Sequence, residues 1–448
     1  MKPTSPLLRP TVLLSLLPLL AAACDKPVPE VKTAPSASAG TTGVTTAADP
    51  TSSARKDPAM PMPMPDATEA SRAAASSNTF GMALYQSLAK KPGNVAMSPL
   101  SITTALAMTW GGARGETEKQ MRSVLHFSGD GDAAALGKLS QALASPGRPL
   151  TFTIANRLFG EKTFTFQQPF LDSTKATFGA PLEPADFKGA ADASRLHINA
   201  WVEEKTEHRI KDLLPAQSIN ADTRMVLVNA IYFLADWQTP FKKELTQPEA
   251  FKASGGEKKV PTMHLGKACA LVHADGAQLL ALPYKDSDTA MLLALPDAVD
   301  GVAALEAKLT GTKVKEWQKA LTAAQLQQVD IALPSFKIEP GAPVTLSEPL
   351  KAMGMPLSFN PDAADFTGIG IPPNPTHRLY ISEVFHKAFV KVDEKGTEAA
   401  AATAVVMAEG GGMPPKSVLF RADHPFLFFV VNKSSGAVLF MGRVSDPS

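Results

Sequence analysis

Apolar residues recur every four positions at Phe80, Leu84 and Leu88, a spacing that predicts an amphipathic helix stopped by Pro92-Gly93. Ser98-Pro99 predicts the start of the next helix, with serine as cap and proline in the first helical position, and Gly111-Gly112 its end. A further helix is expected over residues 116–126, and a long helical pattern runs through Ile198, Trp201, Val202 and Ile210. The period then changes to two. Residues 225–233 read as a strand, followed by strand patterns at 279–283, 291–295, 329–333 and 388–392. Residues 418–420, 425–432 and 437–443 predict three closing strands, with breaks at Pro414-Pro415 and Ser434-Ser435-Gly436. Helices early and strands late predict an α+β fold rather than a regular βαβ repeat. No internal repeat or later linker interrupts this texture, so one large domain is expected over residues 76–448.

One run stands apart from these elements. From Val392 to Met407 the chain reads VDEKGTEAAAATAVVM, charged at first and then almost entirely small and uncharged. Read with period two, Thr397, Ala399, Ala401, Thr403, Val405 and Met407 share one face. Glu398, Ala400, Ala402, Ala404, Val406 and Ala408 share the other, so the charge lies opposite a face fit for burial. Alanine's helix propensity equally permits an alanine-rich helix, and its small size a flexible linker. Periodicity alone leaves these readings open.

The N-terminus has a different composition. Lys2 and Arg9 precede a short apolar core, and Ala21-Ala22-Ala23 leads to Cys24, the three parts of a secretory signal over residues 1–23. Small residues ending at a cysteine resemble a bacterial lipoprotein signal, in which Cys24 is lipidated; Ala21 stands where that motif usually has leucine. Lipidation of Cys24 and ordinary secretion are the two expectations, which place the protein on the cell envelope or outside the cell. Residues 24–75 are rich in Pro, Ala, Ser and Thr and cannot bury enough apolar surface to offset their ordering entropy. They read as a disordered tether whose roughly 50 residues reach on the order of 40 Å. Cys269 is the other of two cysteines, so a lipidated Cys24 leaves no intrachain disulfide; a small buried hydrophobe is its expected role.

The 448-residue chain carries a formal net charge of +1, which gives no reason to expect nucleic acid as a partner. No G-x-S-x-G elbow, H-E-x-x-H helix, P-loop or paired C-x-x-C is present, and the eight histidines are scattered. No metal site and no cofactor are expected. A hydrolase built from Ser98 or Ser101 with His386 has no motif behind it.

Several spaced segments nevertheless resemble one family. Asn94-Val95-Ala96-Met97-Ser98-Pro99-Leu100-Ser101-Ile102, Gly112-Ala113-Arg114-Gly115-Glu116-Thr117, and Ile198-Asn199-Ala200-Trp201-Val202 come in order. Leu227-Val228-Asn229-Ala230-Ile231-Tyr232-Phe233 with Trp237, His386-Lys387-Ala388, Glu394-Lys395-Gly396-Thr397-Glu398-Ala399-Ala400, and His424-Pro425-Phe426 follow. Together they resemble the serpin family of protease inhibitors from about residue 76 to 445.

The resemblance implies an α+β serpin fold, helices with three β-sheets and an exposed reactive-centre loop able to insert into the central sheet. It implies a monomeric suicide-substrate inhibitor, not an enzyme, that captures a serine protease covalently when the cleaved loop becomes a new strand. The hinge of that loop falls on Glu394, Lys395, Gly396, Thr397, Glu398, Ala399, Ala400, Ala401 and Ala402. Ser98, Ser101, Asn229 and His386 correspond to a polar cluster beneath the point where the sheet opens. Read without the family, Ser98 is a helix cap, His386 a satisfied core histidine and Trp237 a core aromatic; within it, Trp237 marks where insertion starts. Ser335 stands where the family often has a lysine that pairs with the residue matched by Glu394, so that ion pair is expected to be absent or replaced. The usual spacing from Gly396 puts the cleaved bond after Gly410, with Gly411 and Met413 as rivals. No Arg or Lys lies between residues 408 and 413, which favours an elastase-like or subtilisin-like target over a trypsin-like one. The alternative function is a non-inhibitory serpin acting as a binding or chaperone-like module.

Overall fold

Asp66 accepts hydrogen bonds from the N–H groups of Thr68 and Glu69 at 3.0 and 2.9 Å and so starts the helix Ala67–Leu88. Its buried face includes Ala70, Ala73, Ala74, Phe80 and Leu84. The expected tether ran to residue 75. Residues 67–75 instead belong to this helix, because a stripe of alanines packs closely against neighbouring elements although its composition looks like linker. The computed structural model describes residues 62–374, 376–397 and 417–448, within a compact unit at Asp57–Ser448. The expected signal segment, Cys24 and most of the tether lie outside the described residues. So do Glu398, Ala399, Ala400, Ala401, Ala402, Gly410, Gly411 and Met413.

Ser98 and Pro99 open the helix Pro99–Trp110 as the sequence predicts, and nearly all of it is buried. Residues 116–126 match the helix Gly115–Val124. The helical pattern through Ile198 corresponds to Phe187–Lys205, which stops before Ile210. Glu207 and His208 adopt left-handed φ of 48° and 59° after it and turn Ile210 into the core from a loop.

Three main sheets form the scaffold. The central one contains β1 (Thr151–Glu161), β2 (Leu182–Ala185), β3 (Met225–Asp236), β4 (Phe336–Ile338), β5 (Val390–Val392) and β6 (Gly396–Thr397). Its spatial order is β4-β5-β6-β3-β1-β2. β1 and β3 pair antiparallel from Thr151↔Leu234 to Gly160↔Met225. Alternation along β3 gives two cores. Val228 and Ala230 face the helix Phe187–Lys205 with Phe159, Ile198 and Val202, whereas Ile231, Phe233 and Ala235 face the main core.

A second six-stranded sheet contains Phe426–Asn432, Val438–Val444 and Thr289–Pro296, each buried along its whole length. Gly442 is required there for close approach, since a Cβ would meet Val95 O at 2.1 Å. The strand is also clamped ionically. Arg443 meets Glu306 at 3.0 Å with both side chains under 10% exposed, and donates to the carbonyls of Ala89, Lys91 and Gly93. Tyr85 OH donates to the same glutamate at 2.7 Å. A four-stranded sheet pairs Val418–Arg421 parallel to Gln327–Pro334. Among the described residues no helix is long and apolar enough to cross a membrane.

Candidate functional site

Between β3 and β5 the chain folds a short strand back into the central sheet. β6 pairs antiparallel with β5 at Val392↔Thr397 and with β3 at Gly396↔Asp236 and Thr397↔Ala235. Because Thr397 is registered with Ala235, it shares the face of Phe233, Ile231 and Asn229, the side that packs on the main core. It is 3% exposed. This is the inward face that the period-two reading assigns to Thr397. Gly396 is needed at the crossing, where a Cβ would lie 2.0 Å from Ala235 O.

The turn into β6 is held by β3's extension. Trp237 N–H donates to Lys395 O at 2.7 Å and Phe241 N–H to Glu394 O at 2.8 Å. Trp237 Nε1 donates to Asp393 O at 3.0 Å, so the indole grips the chain just before residues 394–397. Lys395 N–H donates to Asp393 Oδ1 at 3.1 Å, which tightens the same turn. Glu394 accepts from Thr246 Oγ1 at 2.7 Å, while Ser335 Oγ donates to Pro261 O at 3.4 Å. The ion pair that Ser335 cannot make is thus replaced, as the sequence leads one to expect, by a neutral hydroxyl donor from the segment before the strand Gln247–Ala253.

Deeper in the sheet, the four polar residues come together. Ser98 Oγ accepts from Ser101 N–H at 3.2 Å, and Ser98 N–H donates to His386 Nε2 at 3.3 Å. Ser101 Oγ donates to Asn229 Oδ1, whose amide donates to Asn156 Oδ1 at 2.6 Å. Asn156 in turn donates to Phe178 O at 3.2 Å. Ser98 is therefore both a helix cap and a member of the cluster. Asn156 lies directly opposite Asn229 in the β1–β3 ladder and has no counterpart among the sequence expectations, because β1 itself was not anticipated. Neither serine presents its hydroxyl to the imidazole and all three groups are buried, which removes the serine–histidine hydrolase reading. Among the described residues no group of three or more His, Cys, Asp or Glu side chains could hold a metal ion.

Burial pushes the His386 imidazole down to about 4, so near neutrality it is uncharged and its Nε2 accepts from Ser98. The unfolded chain then binds a proton between about pH 6.5 and 4 that the folded chain refuses, and stability falls as pH drops through that window, by about 3 kcal/mol in total. His386→Gln is expected to flatten this slope relative to the wild type in urea unfolding at pH 4.5 and 6.5; equal slopes would show that His386 does not carry the linkage. Tyr284, behind β6, is fully buried, and burial raises its phenol far above the ordinary range while the hydrogen bond with Thr397 opposes this. Cys269 is buried at the end of the strand Gly256–Cys269, and desolvation raises its thiol, consistent with the inert role expected for it.

Comparison with known proteins agrees with this geometry. The sequence model of a family described as "Serpin (serine protease inhibitor)" matches residues 75–447. Human Serpin B4 is 40% identical over 389 residues, covering 82% of this chain and 97% of its own. The leukocyte elastase inhibitor of Sus scrofa is 38% identical over 383 residues, covering 83% of this chain and 99% of its own. Among solved structures, Serpin48 of the insect Tenebrio molitor superposes with a TM-score of 0.72 at 32% identity, covering 86% of this chain and all of that one.

Proposed function

Since this chain belongs to the serpin family, we propose that it inhibits serine endopeptidases as a suicide substrate, through insertion of residues beyond Thr397 into the central sheet. The protein is an inhibitor and not an enzyme. The target's serine attacks a carbonyl within residues 398–416 and forms an ester with it, and the amine of the following residue leaves as a new N-terminus. Before water resolves the ester, the freed segment adds as a strand between β3 and β5 and carries the protease with it.

The observation that supports this reading is β6. Its two residues already run antiparallel to both neighbours, and Thr397 already faces inward. Below them, among the described residues, the β5-side edge of β3 has ladder partners only at Ala235 and Asp236. A strand continuing from Thr397 would satisfy that edge, and the small side chains at 399, 401 and 403 suit the buried face. The polar column from Ser98 to Asn156 lies at that level and would have to stay hydrogen-bonded in both states.

The cleaved bond is assigned after Gly410 by spacing, with Gly411 and Met413 as alternatives, and the target to elastase-like or subtilisin-like proteases. The composition of residues 408–413 supports this, as does a relative named for elastase inhibition. Incubation with elastase-like, subtilisin-like and trypsin-like proteases is expected to give an SDS-stable complex with one of the first two; mass spectrometry of the released peptide locates the bond. Clean cleavage with full protease activity throughout the panel contradicts inhibition and favours the non-inhibitory reading. For the N-terminus, the charge–apolar–small pattern ending at Cys24 supports export of a bacterial lipoprotein, with residues 25–66 as tether to a monomeric domain. Labelled palmitate is expected on the wild type and absent from Cys24→Ser; equal label on both refutes anchoring at Cys24.

A further inference from the structure

Tyr284 follows the strand Ala277–Pro283 and is fixed by backbone on either side, its N–H donating to Thr289 O at 3.0 Å and Lys285 N–H donating to Asp236 O at 2.8 Å. Its ring lies flat on Trp237, with centroids 4.7 Å apart and planes 8° apart, and meets Phe233 edge-on at 5.1 Å. At 1% exposure the hydroxyl has no access to solvent. Its hydrogen-bond partner among the described residues is Thr397 Oγ1 at 2.6 Å. The ring is thus held by β3 and its extension, whereas the hydroxyl is satisfied by the first inward residue of the hinge. Withdrawal of Thr397 from the sheet strands a buried phenol.

We infer that Tyr284 is a positioning residue for inhibition: its hydroxyl retains Thr397 in the sheet before cleavage, so insertion starts from a docked first residue. This rests on the loop-insertion reading. After cleavage, insertion competes with hydrolysis of the acyl-enzyme, and the ratio of the two rates sets how many inhibitor molecules are consumed per protease trapped. Tyr284 does not touch the protease or the scissile bond; it acts through Thr397. Loss of one buried hydrogen bond changes the docked-to-undocked ratio about five-fold. Threonine suits the position because its hydroxyl meets the phenol while its methyl group accepts burial.

The test uses the full chain and two readouts. The first is amide hydrogen exchange in the uncleaved protein at Trp237 and Phe241, whose N–H groups are bonded to Lys395 and Glu394. The second is the number of inhibitor molecules consumed per protease. Tyr284→Phe keeps the aromatic stack and removes only the hydroxyl. It is expected to speed exchange at both amides about five-fold, leave the amides of Phe426–Asn432 unchanged, and raise consumption. Thr397→Val leaves the phenol unpaired and is expected to do at least as much. The double variant removes both polar groups and is expected to lie at or below Thr397→Val. Unchanged exchange in Tyr284→Phe, or a double variant whose effect equals the product of the two singles, overturns the inference. Should the wild type form no SDS-stable complex with any protease, the loop-insertion reading fails, while the exchange data still decide whether the hydroxyl docks Thr397.

Discussion

Thr397→Arg is expected to abolish the SDS-stable complex and turn the protein into an ordinary substrate. Thr397 is registered with Ala235 on the buried face of the sheet and touches the Tyr284 hydroxyl. A guanidinium there is set against the buried Tyr284, whose ring stacks on Trp237 and meets Phe233 edge-on. Desolvating an unpaired charge costs at least several kcal/mol, and every 1.4 kcal/mol is a tenfold change in the competition between insertion and hydrolysis. A loss of trapping above about 100-fold follows. The readout is the number of inhibitor molecules consumed per protease, with the cleaved fragment followed by mass spectrometry. Glu398→Lys, one residue on and of opposite parity, is the control and is expected to keep trapping. Undiminished trapping by Thr397→Arg contradicts the assignment of Thr397 as the first inserted residue.

Arg443→Met is expected to give the largest loss of stability. The side chain closes the C-terminal strand Val438–Val444 against the helix Ala67–Leu88 through Glu306 and three backbone carbonyls. Removing it leaves Glu306 buried with the Tyr85 hydroxyl as its one side-chain partner among the described residues, a situation that costs about 3–5 kcal/mol. Burial, followed by the adjacent Glu306 charge, holds the Tyr85 phenol well above its ordinary range, so Tyr85 stays a neutral donor to Glu306 and does not balance its charge. Urea unfolding monitored by circular dichroism is the measurement. Adding Glu306→Leu to Arg443→Met is expected to restore most of the loss, since the uncompensated charge is then gone. A single variant within 1 kcal/mol of the wild type would show the pair to be incidental. Because this clamp lies away from the central sheet, trapping at low temperature is expected to persist.

Much of the scaffold was legible because its elements carry strong local signals. Ser98-Pro99 with Gly111-Gly112 bounded a helix correctly, and the apolar run at 225–233 identified β3. The cluster of Ser98, Ser101, Asn229 and His386 was legible only through resemblance, since its members are up to 288 residues apart and no spacing rule joins them. Three partners escaped. Asn156 sits in β1, whose sequence TFTIANRLFGE mixes polar and apolar residues without clear alternation. Thr246 and Tyr284 lie just outside strand ends, where a single hydroxyl gives no periodic signal. The start of the fold was placed too late because the alanines and serines of residues 67–77 share the tether's composition, and only their burial in the helix Ala67–Leu88 separates them. Ile210 fitted a helical period by coincidence, beyond a helix that ends at Lys205.

In the proposed mechanism, cleavage lets the segment after Thr397 become a strand of the central sheet. Thermal unfolding of the intact protein and of protein cleaved within residues 398–416 tests it most directly. About ten new residues in the sheet, at about 1 kcal/mol net per hydrogen bond, are worth on the order of 10 kcal/mol. For a domain of this size that corresponds to a rise of at least about 10 °C in the unfolding midpoint. A midpoint raised by that amount after cleavage is the expected result. A cleaved protein that melts at or below the temperature of the intact one would mean that no strand has been added, and inhibition by insertion would be contradicted.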